Sequence, residues 1–435
     1  ISSAASDVYK RQYHYGSQAV LLERNASVGG WCRSIEDGGF TFDYAGHIMF
    51  SNDPYVLELY DMLLGDNLHW QMREAWIYTD GVYTRYPFQG ALYGLPTETI
   101  KECILGAIEA KYSSTAQVPP ENFERFIYQV WGAGIARHFA IPYNQKLWTV
   151  PLSEMETSWL GGRVPLPDLA QIVEGAVEPV GKPMGPNARF GYPLKGGFQA
   201  LMSAFLPHIK GVVETNSEIV HILANQHIAV LADGRQFHYE QLISTMPLPE
   251  LIRIIGDEAP DEVIAAANGL HHVSVRCVNL GIGRANLTDK HWIYFAGDTI
   301  FHRIFVQGNT SPECNPPGGC GLTCEITYSE HKPLPVDGQA LIDRCIAECI
   351  EVGIFTAEDE VLVANQLDIP YAYVVYDHER SKNVETVRQW LLTQDIVLAG
   401  RYSEWEYYNS DHAFIAGKNA AEKVKNSVSR RGAGA

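Results

Sequence analysis

Apolar and polar positions change period several times along the chain. An unbroken apolar run, Ala19-Val20-Leu21-Leu22, closes on Glu23 and is followed by Arg24, Asn25 and a turn at Gly29-Gly30, a pattern that predicts a buried strand. Residues 38–50 read as strand, loop and turn, with the bend at Gly46-His47. Helical periodicity covers 54–65 and 97–112, the second through Ile100, Ile104 and Ile108. Between them, Trp76-Ile77-Tyr78 and Val82-Tyr83 flank Asp80-Gly81, a hairpin signal. The stretch 121–180 is mostly helical and aromatic, punctuated by Pro142, Pro151, Pro165 and Pro167. Residues 212–245 alternate like a meander turning at Asp233-Gly234, and 272–281 and 321–328 read as further strands. A polar Gly/Pro loop spans 308–320, and 338–352 and 384–392 read as helices. Ile396-Val397-Leu398-Ala399-Gly400 is a buried strand, leading through an aromatic stretch to a helix from about Asp411 to Lys425.

This mixture predicts an α/β protein whose first and last segments both belong to a nucleotide-binding unit. A buried strand ending in an acidic residue is the second half of a dinucleotide-binding βαβ unit, where the carboxylate accepts hydrogen bonds from ribose hydroxyls. Glu23 holds that position, with an ordinary strand end as its alternative. The first half of such a unit, with its Gly-x-Gly-x-x-Gly turn, is not found upstream. Ile1 to Gln12 shows no helix or strand period and reads as a segment unrelated to the rest of the chain.

Composition narrows the partners. The chain has 435 residues, 46% hydrophobic and 19% charged, which is a globular profile with room for two or three domains. Its net charge of −18 argues against nucleic acid or an anionic membrane as the main partner. A small anionic ligand stays possible where a few cations gather. No apolar run reaches membrane-spanning length. The eight cysteines are dilute, which favours reduced thiols in a cytoplasm. Cys314, Cys320, Cys324 and His331 do not have zinc-ribbon spacing, so no metal is expected.

Several longer strings carry a resemblance: FDYAGHIMFS (42–51), RYPFQ (85–89), PYNQKLWTVPLSEMETSWLGGRV (142–164), GPNARFGYPLKGG (185–197), HWIYF (291–295) and GRYSEWEYYNSDHAFIAG (400–417). In this order they resemble the flavin-dependent amine oxidase and protoporphyrinogen oxidase superfamily and, within it, UDP-galactopyranose mutases of the eukaryotic type. The resemblance implies an α/β fold. A discontinuous FAD-binding Rossmann-like domain of the glutathione-reductase-like superfamily would comprise 13–70, 185–248 and 393–430. A helical substrate domain would span 95–184. An antiparallel-sheet substrate domain would comprise 71–94 and 249–392, with 1–12 outside all three. FAD is the implied cofactor, active when reduced, with NAD(P)H as reductant and a nucleotide sugar as substrate. No nucleic acid and no membrane span are implied, and homo-oligomerisation stays open.

The same resemblance distributes roles. Glu23, Gly29, Gly30, Arg33, Gly46, His47, Val213, Gly400, Arg401, Asn409 and Asp411 would contact FAD, and Arg73 would lie near the flavin. Glycines let backbone N–H groups approach phosphate oxygens, and the N-terminus of the last helix would face the flavin ring. Tyr86, Gln89, Asn144, Trp148, Arg163, Asn187, Tyr294, Arg303, Tyr371 and Tyr407 would bind substrate. Arg163, Arg303 and His47 form the implied catalytic group, the arginines as a planar, bidentate clamp on a diphosphate. Ala45 stands where the mutases usually carry a second glycine. The implied reaction interconverts UDP-galactopyranose and UDP-galactofuranose through an adduct of the sugar with N5 of reduced flavin. This accords with the lack of a Ser/His/Asp or Cys/His arrangement in the sequence. The rival reading is a flavin oxidoreductase on an unknown substrate, often with a lysine beside the flavin, for which Lys146 and Lys195 are the nearest candidates.

Overall fold

The computed structural model describes residues 19–114, 116–161, 166–181 and 188–432, the last six as backbone only. The expected unrelated segment 1–12, together with Arg163 and Asn187, lies outside the described residues.

The central element is a seven-stranded sheet. In spatial order its strands are Val361–Val374, His272–Ile282, Cys320–Tyr328, Arg303–Phe305, Trp292–Phe295, Ala75–Thr79 and Val82–Arg85. All neighbours run antiparallel except Trp292–Phe295 against Ala75–Thr79. The predicted hairpin forms, with Thr79 opposite Val82 and positive φ at both Asp80 and Gly81, the conformation a two-residue turn of this kind demands. One face is closed by the helix Gln339–Glu351, whose Leu341, Ile342, Cys345 and Cys349 pack on Val278, Leu280, Leu322 and Cys324. Burial on both faces explains why these strands read as apolar runs rather than alternating ones.

A helical layer stands beside the sheet. The helices Thr97–Tyr112 and Phe123–Ile135 meet at glycines: a Cβ on Gly132 would lie 2.1 Å from the Gly106 carbonyl oxygen, and one on Gly134 would lie 2.2 Å from that of Glu102. Gly132 has φ +83°, so the second helix kinks there. After a wide turn at Ala136–Ala140 comes the helix Ile141–Trp148, which ends on Thr149 in the left-handed region.

Two further pairs of strands, distant in sequence, run parallel. Val20–Leu22 lies along Val212–Glu214, and Leu242–Ser244 lies along Ile396–Leu398. The expected meander over 212–245 is therefore corrected. Only Ile219–Leu223, Ile228–Leu231 and Gln236–His238 form an antiparallel sheet, while the outer strands leave it for distant partners. Side-chain alternation reports a face, not the neighbour, so the sequence could not separate these cases. The final helix, Ser410–Gly432, packs Ala413 and Ala420 against Val397 and Ala399.

The thiols follow the compositional reading: all eight cysteines are free. Cys324 faces Cys349, with sulfurs 3.6 Å apart. Among the described residues no group of His, Cys, Asp and Glu is arranged to hold a metal, and no helix is long and apolar enough to cross a membrane.

Candidate functional site

A cavity of about 740 Å3 opens between the helical layer and the sheet. The sequence brings its walls from distant segments. Tyr86 and Gln89 follow the hairpin, Asn144 and Trp148 sit one turn apart on the helix Ile141–Trp148, and Tyr294 and Arg303 lie on neighbouring strands. Tyr407 precedes the last helix. These seven expected substrate residues therefore share one cavity. Aromatic packing keeps it rigid: Tyr86 stacks on Tyr294 at 5.2 Å, and Trp148 meets Trp159, Tyr373 and Tyr407 at 5.0 to 6.0 Å.

Two arginines supply positive charge to this wall. Arg303 donates from Nε (3.1 Å) and Nη2 (2.5 Å) to Oε2 of the fully buried Glu325, and more loosely to the Tyr373 hydroxyl at 3.4 Å. Burial disfavours charge on Arg303, but the adjacent Glu325 carboxylate outweighs it and holds the guanidinium protonated. Glu325 Oε1 also accepts the Gly46 backbone N–H at 3.1 Å, so one carboxylate orients both the arginine and the Gly46-His47 loop. Arg73, 8% exposed, lies over the Trp292 ring and donates to the Tyr294 hydroxyl at 2.6 Å. Burial raises the pKa of the Tyr86, Tyr143 and Tyr373 phenols, so they stay protonated donors.

A second cavity of about 240 Å3 adjoins the first, and Gly46, Arg303, Tyr373, Tyr407 and Asn409 line both. Gly29, His47 and Arg401 complete the expected residues in its wall. Burial lowers the pKa of His47 to about 4, so the imidazole is neutral at pH 7; its Nδ1 lies 3.2 Å from the Ala45 carbonyl, which fixes the hydrogen on that nitrogen. The loop carrying it is anchored at Asp43, whose carboxylate accepts from Ser34 Oγ, the Phe198 N–H and the Tyr192 hydroxyl at 2.6 to 3.0 Å. Ala45 itself sits at φ +65°, a left-handed conformation that favours glycine. Asn409, Ser410 and Ala413 place the N-terminus of the last helix in the same wall.

This second cavity fits a flavin. Arg401 donates from Nη1 to the Tyr408 carbonyl at 2.6 Å and from Nη2 to that of Ala372 at 3.0 Å, while its buried Nε has no partner. A cationic donor short of an acceptor beside a helix N-terminus suits an electron-rich ring system. Gly29 and Gly46 stand in the cavity wall where packing leaves little room for a side chain: a Cβ on Gly29, at φ +124°, would lie 3.1 Å from Met202, and one on Gly46 2.9 Å from Phe305. Asp411 lines the larger cavity, with Oδ1 accepting the His412 N–H at 2.8 Å.

Other expected residues lie further off. Gly30, Arg33, Val213, Gly400 and Glu23 line neither cavity. Arg33 Nε bonds the Gly30 carbonyl, Val213 pairs with Leu21, and the Gly400 N–H donates to Glu404. The buried Glu23 carboxylate accepts from the Asn25 N–H and Nδ2 at 2.8 and 2.6 Å. Tyr371 also lines neither cavity: its hydroxyl donates to Glu250 at 2.8 Å and its ring packs on His272. Tyr373 lines both cavities instead. The cause is a two-residue bulge, since Val273 pairs with Tyr373 but Val275 with Ile369. Glu325 was also missed; its only sequence signal is a lone acid inside the apolar strand Cys320–Tyr328. Lys146 and Lys195 line neither cavity.

Fold and site together define a flavin-dependent enzyme class. The profile of the flavin-containing amine oxidoreductase family matches residues 116–425, and that of the NAD(P)-binding Rossmann-like domain matches residues 2–63; the chain belongs to the flavin-containing amine oxidoreductase family. Among solved structures it is similar to reduced UDP-galactopyranose mutase, at 29% identity and a TM-score of 0.92, covering 98% of this chain and 92% of that one. It shares its fold with cyclohexylamine oxidase from Brevibacterium oxydans (12% identity, TM-score 0.68, 98% of both chains). A fatty acid isomerase from P. acnes has the same fold (14% identity, TM-score 0.64, 97% and 96%).

Proposed function

We propose that the chain interconverts UDP-galactopyranose and UDP-galactofuranose, with FAD working in its reduced form and NAD(P)H as reductant. The observation that carries this reading is the convergence of Arg303, Tyr294, Tyr407, Asn144, Trp148, Tyr86 and Gln89 on one cavity that opens directly onto the flavin-sized one. The similarity to a reduced mutase over nearly the whole chain supports it. Reduced FAD supplies a nucleophilic ring nitrogen for the anomeric carbon of the sugar.

The protein's share is positioning and charge. Arg303, held from below by Glu325, presents Nη1, which no described hydrogen bond uses, to a departing diphosphate. The phenol of Tyr373, kept neutral by burial, adds a donor without adding charge, and the Tyr294 hydroxyl lines the same cavity. His47, neutral and with its hydrogen turned to Ala45, leaves Nε2 as an acceptor beside the flavin site. The aromatic walls exclude water, which would otherwise capture an activated sugar. Arg163 is the proposed second half of the diphosphate clamp, and Asn187 a proposed sugar contact.

The test is direct. Purified protein carrying stoichiometric FAD is reduced with dithionite and given UDP-galactofuranose, and the nucleotide sugars are separated. Conversion to UDP-galactopyranose is expected. Fully flavinated, reduced protein that leaves the substrate unchanged overturns the proposal, and peroxide release on an amine panel would favour an oxidase instead.

A further inference from the structure

The helix Ile141–Trp148 presents Asn144 and Trp148 to the larger cavity, while Lys146 points its ammonium elsewhere. Lys146 Nζ donates to the Gly297 carbonyl at 2.8 Å, to Thr299 Oγ1 at 2.9 Å and to the Phe295 carbonyl at 3.4 Å. Those acceptors belong to the loop joining Tyr294 to Arg303, the two residues of the opposite cavity wall. The loop is tied down at its far side too: the Ile300 N–H donates to Glu348, and Thr299 Oγ1 donates to the Phe301 carbonyl. The Lys146 carbonyl meanwhile accepts from Thr327 Oγ1 at 2.6 Å, so the helix is pinned to the sheet at the same residue.

We propose that Lys146 is a positioning residue: its ammonium clasps the loop 295–299 to the helix Ile141–Trp148 and thereby sets the spacing between the Asn144/Trp148 wall and the Tyr294/Arg303 wall. The inference rests on the nucleotide-sugar reading of that cavity. Stability alone does not explain the residue. Half-burying an ammonium is costly, and burial here pulls its pKa down to about 7, so the clasp holds all three acceptors fully only on the acid side of neutrality. A methionine of similar length would fill the same space without that cost. What methionine cannot do is hold three acceptors in fixed positions, and ligand sites need their walls held within fractions of an ångström.

The experiment compares full-length flavinated protein with Lys146→Met and Thr299→Val, singly and together, by UDP titration, thermal melting and steady-state kinetics. Lys146→Met is expected to keep or raise the melting temperature, to weaken UDP roughly tenfold and to raise KM with kcat within about twofold. Thr299→Val is expected to weaken UDP less, and the double variant no more than Lys146→Met, since both remove one clasp. A melting temperature that falls in step with affinity, additive losses, or wild-type UDP binding in Lys146→Met would overturn the clasp. If the wild-type protein itself bound no UDP, the proposed function would fall first and the clasp with it.

Discussion

Acid should unfold this protein early, and His291 shows why. It is 7% exposed and lies edge-on to Phe190, just before the strand Trp292–Phe295. Its Nδ1 accepts the Glu74 N–H at 3.0 Å, while Nε2 lies 3.1 Å from Gln71 Oε1 and 3.2 Å from the Asn309 carbonyl. That pattern admits only the neutral ring, because a protonated Nδ1 cannot accept. Burial lowers the pKa to about 4, as it does for His47. A histidine depressed in the folded state contributes stability above its unfolded pKa, lost as pH falls toward the folded value. At pH 4.5 the loss is about 2.5 kcal/mol for each of the two, or about 5 kcal/mol together. Asp43 works the other way: burial raises its pKa to about 6, so its protonation returns about 2 kcal/mol over the same range. The net loss is about 3 kcal/mol between pH 7 and 4.5, before the fully buried His302, also held well below its usual range, adds its share. Urea titrations followed by tryptophan fluorescence at both pH values measure this. Asparagine at 291 can place Oδ1 where Nδ1 accepts but cannot titrate. His291→Asn should therefore lose roughly 1–2 kcal/mol at pH 7 yet reduce the acid loss by about 2.5 kcal/mol. An unchanged pH dependence in that variant would refute the assignment.

Tyr294→Phe removes the hydroxyl that receives Arg73 at 2.6 Å, and UDP affinity should drop about tenfold, read by fluorescence titration; unaltered binding would show that this contact is dispensable. Ala45→Gly relieves a left-handed residue at φ +65° and should raise stability by about 1 kcal/mol in urea, whereas a lower midpoint would contradict the strain. Gly132→Ala drives a Cβ to 2.1 Å from the Gly106 carbonyl at positive φ, so a loss of about 3 kcal/mol or more, or insoluble protein, is expected; a stable variant would show that the two helices can part.

The helices and the hairpin were legible because their signals are local. Asp80-Gly81 dictates its turn, and the helix expected over 384–392 falls inside Arg380–Thr393. Its earlier start comes from Asp377, whose Oδ1 accepts the Glu379 and Arg380 N–H groups ahead of the periodic residues. What stayed hidden depends on distant partners. Val212–Glu214 finds its neighbour nearly 200 residues upstream. The long strand Val361–Val374 gave no clear signal, because Asn365, Gln366 and Pro370 interrupt its apolar pattern on a sheet edge where such residues are tolerated. The bulge beside Pro370 goes with Tyr373, not Tyr371, lining the cavities, a placement no period could reveal. The cavity residues were found through motif resemblance, since nothing in their spacing brings 86, 144, 294 and 407 together.

Charge links the sequence to the site most closely. A chain with a net charge of −18 repels anions at long range, so an anionic ligand must be captured by local geometry. The junction of the two cavities provides it. Arg303 has a carboxylate partner buried beneath the guanidinium, which fixes its direction and offsets much of its charge. Arg401, in the adjoining wall, is held by carbonyls and tyrosine faces, with no carboxylate of the described residues in ion-pair contact. The acids of the larger cavity are already engaged: Asp53 accepts the Tyr55 N–H to cap a helix, and Asp411 accepts from His412. Positive charge therefore concentrates where the flavin-sized space meets the substrate-sized one. On the proposed reading, a diphosphate drawn to that junction would bring its sugar to the flavin site, so that the groups binding the substrate would also orient it for reaction.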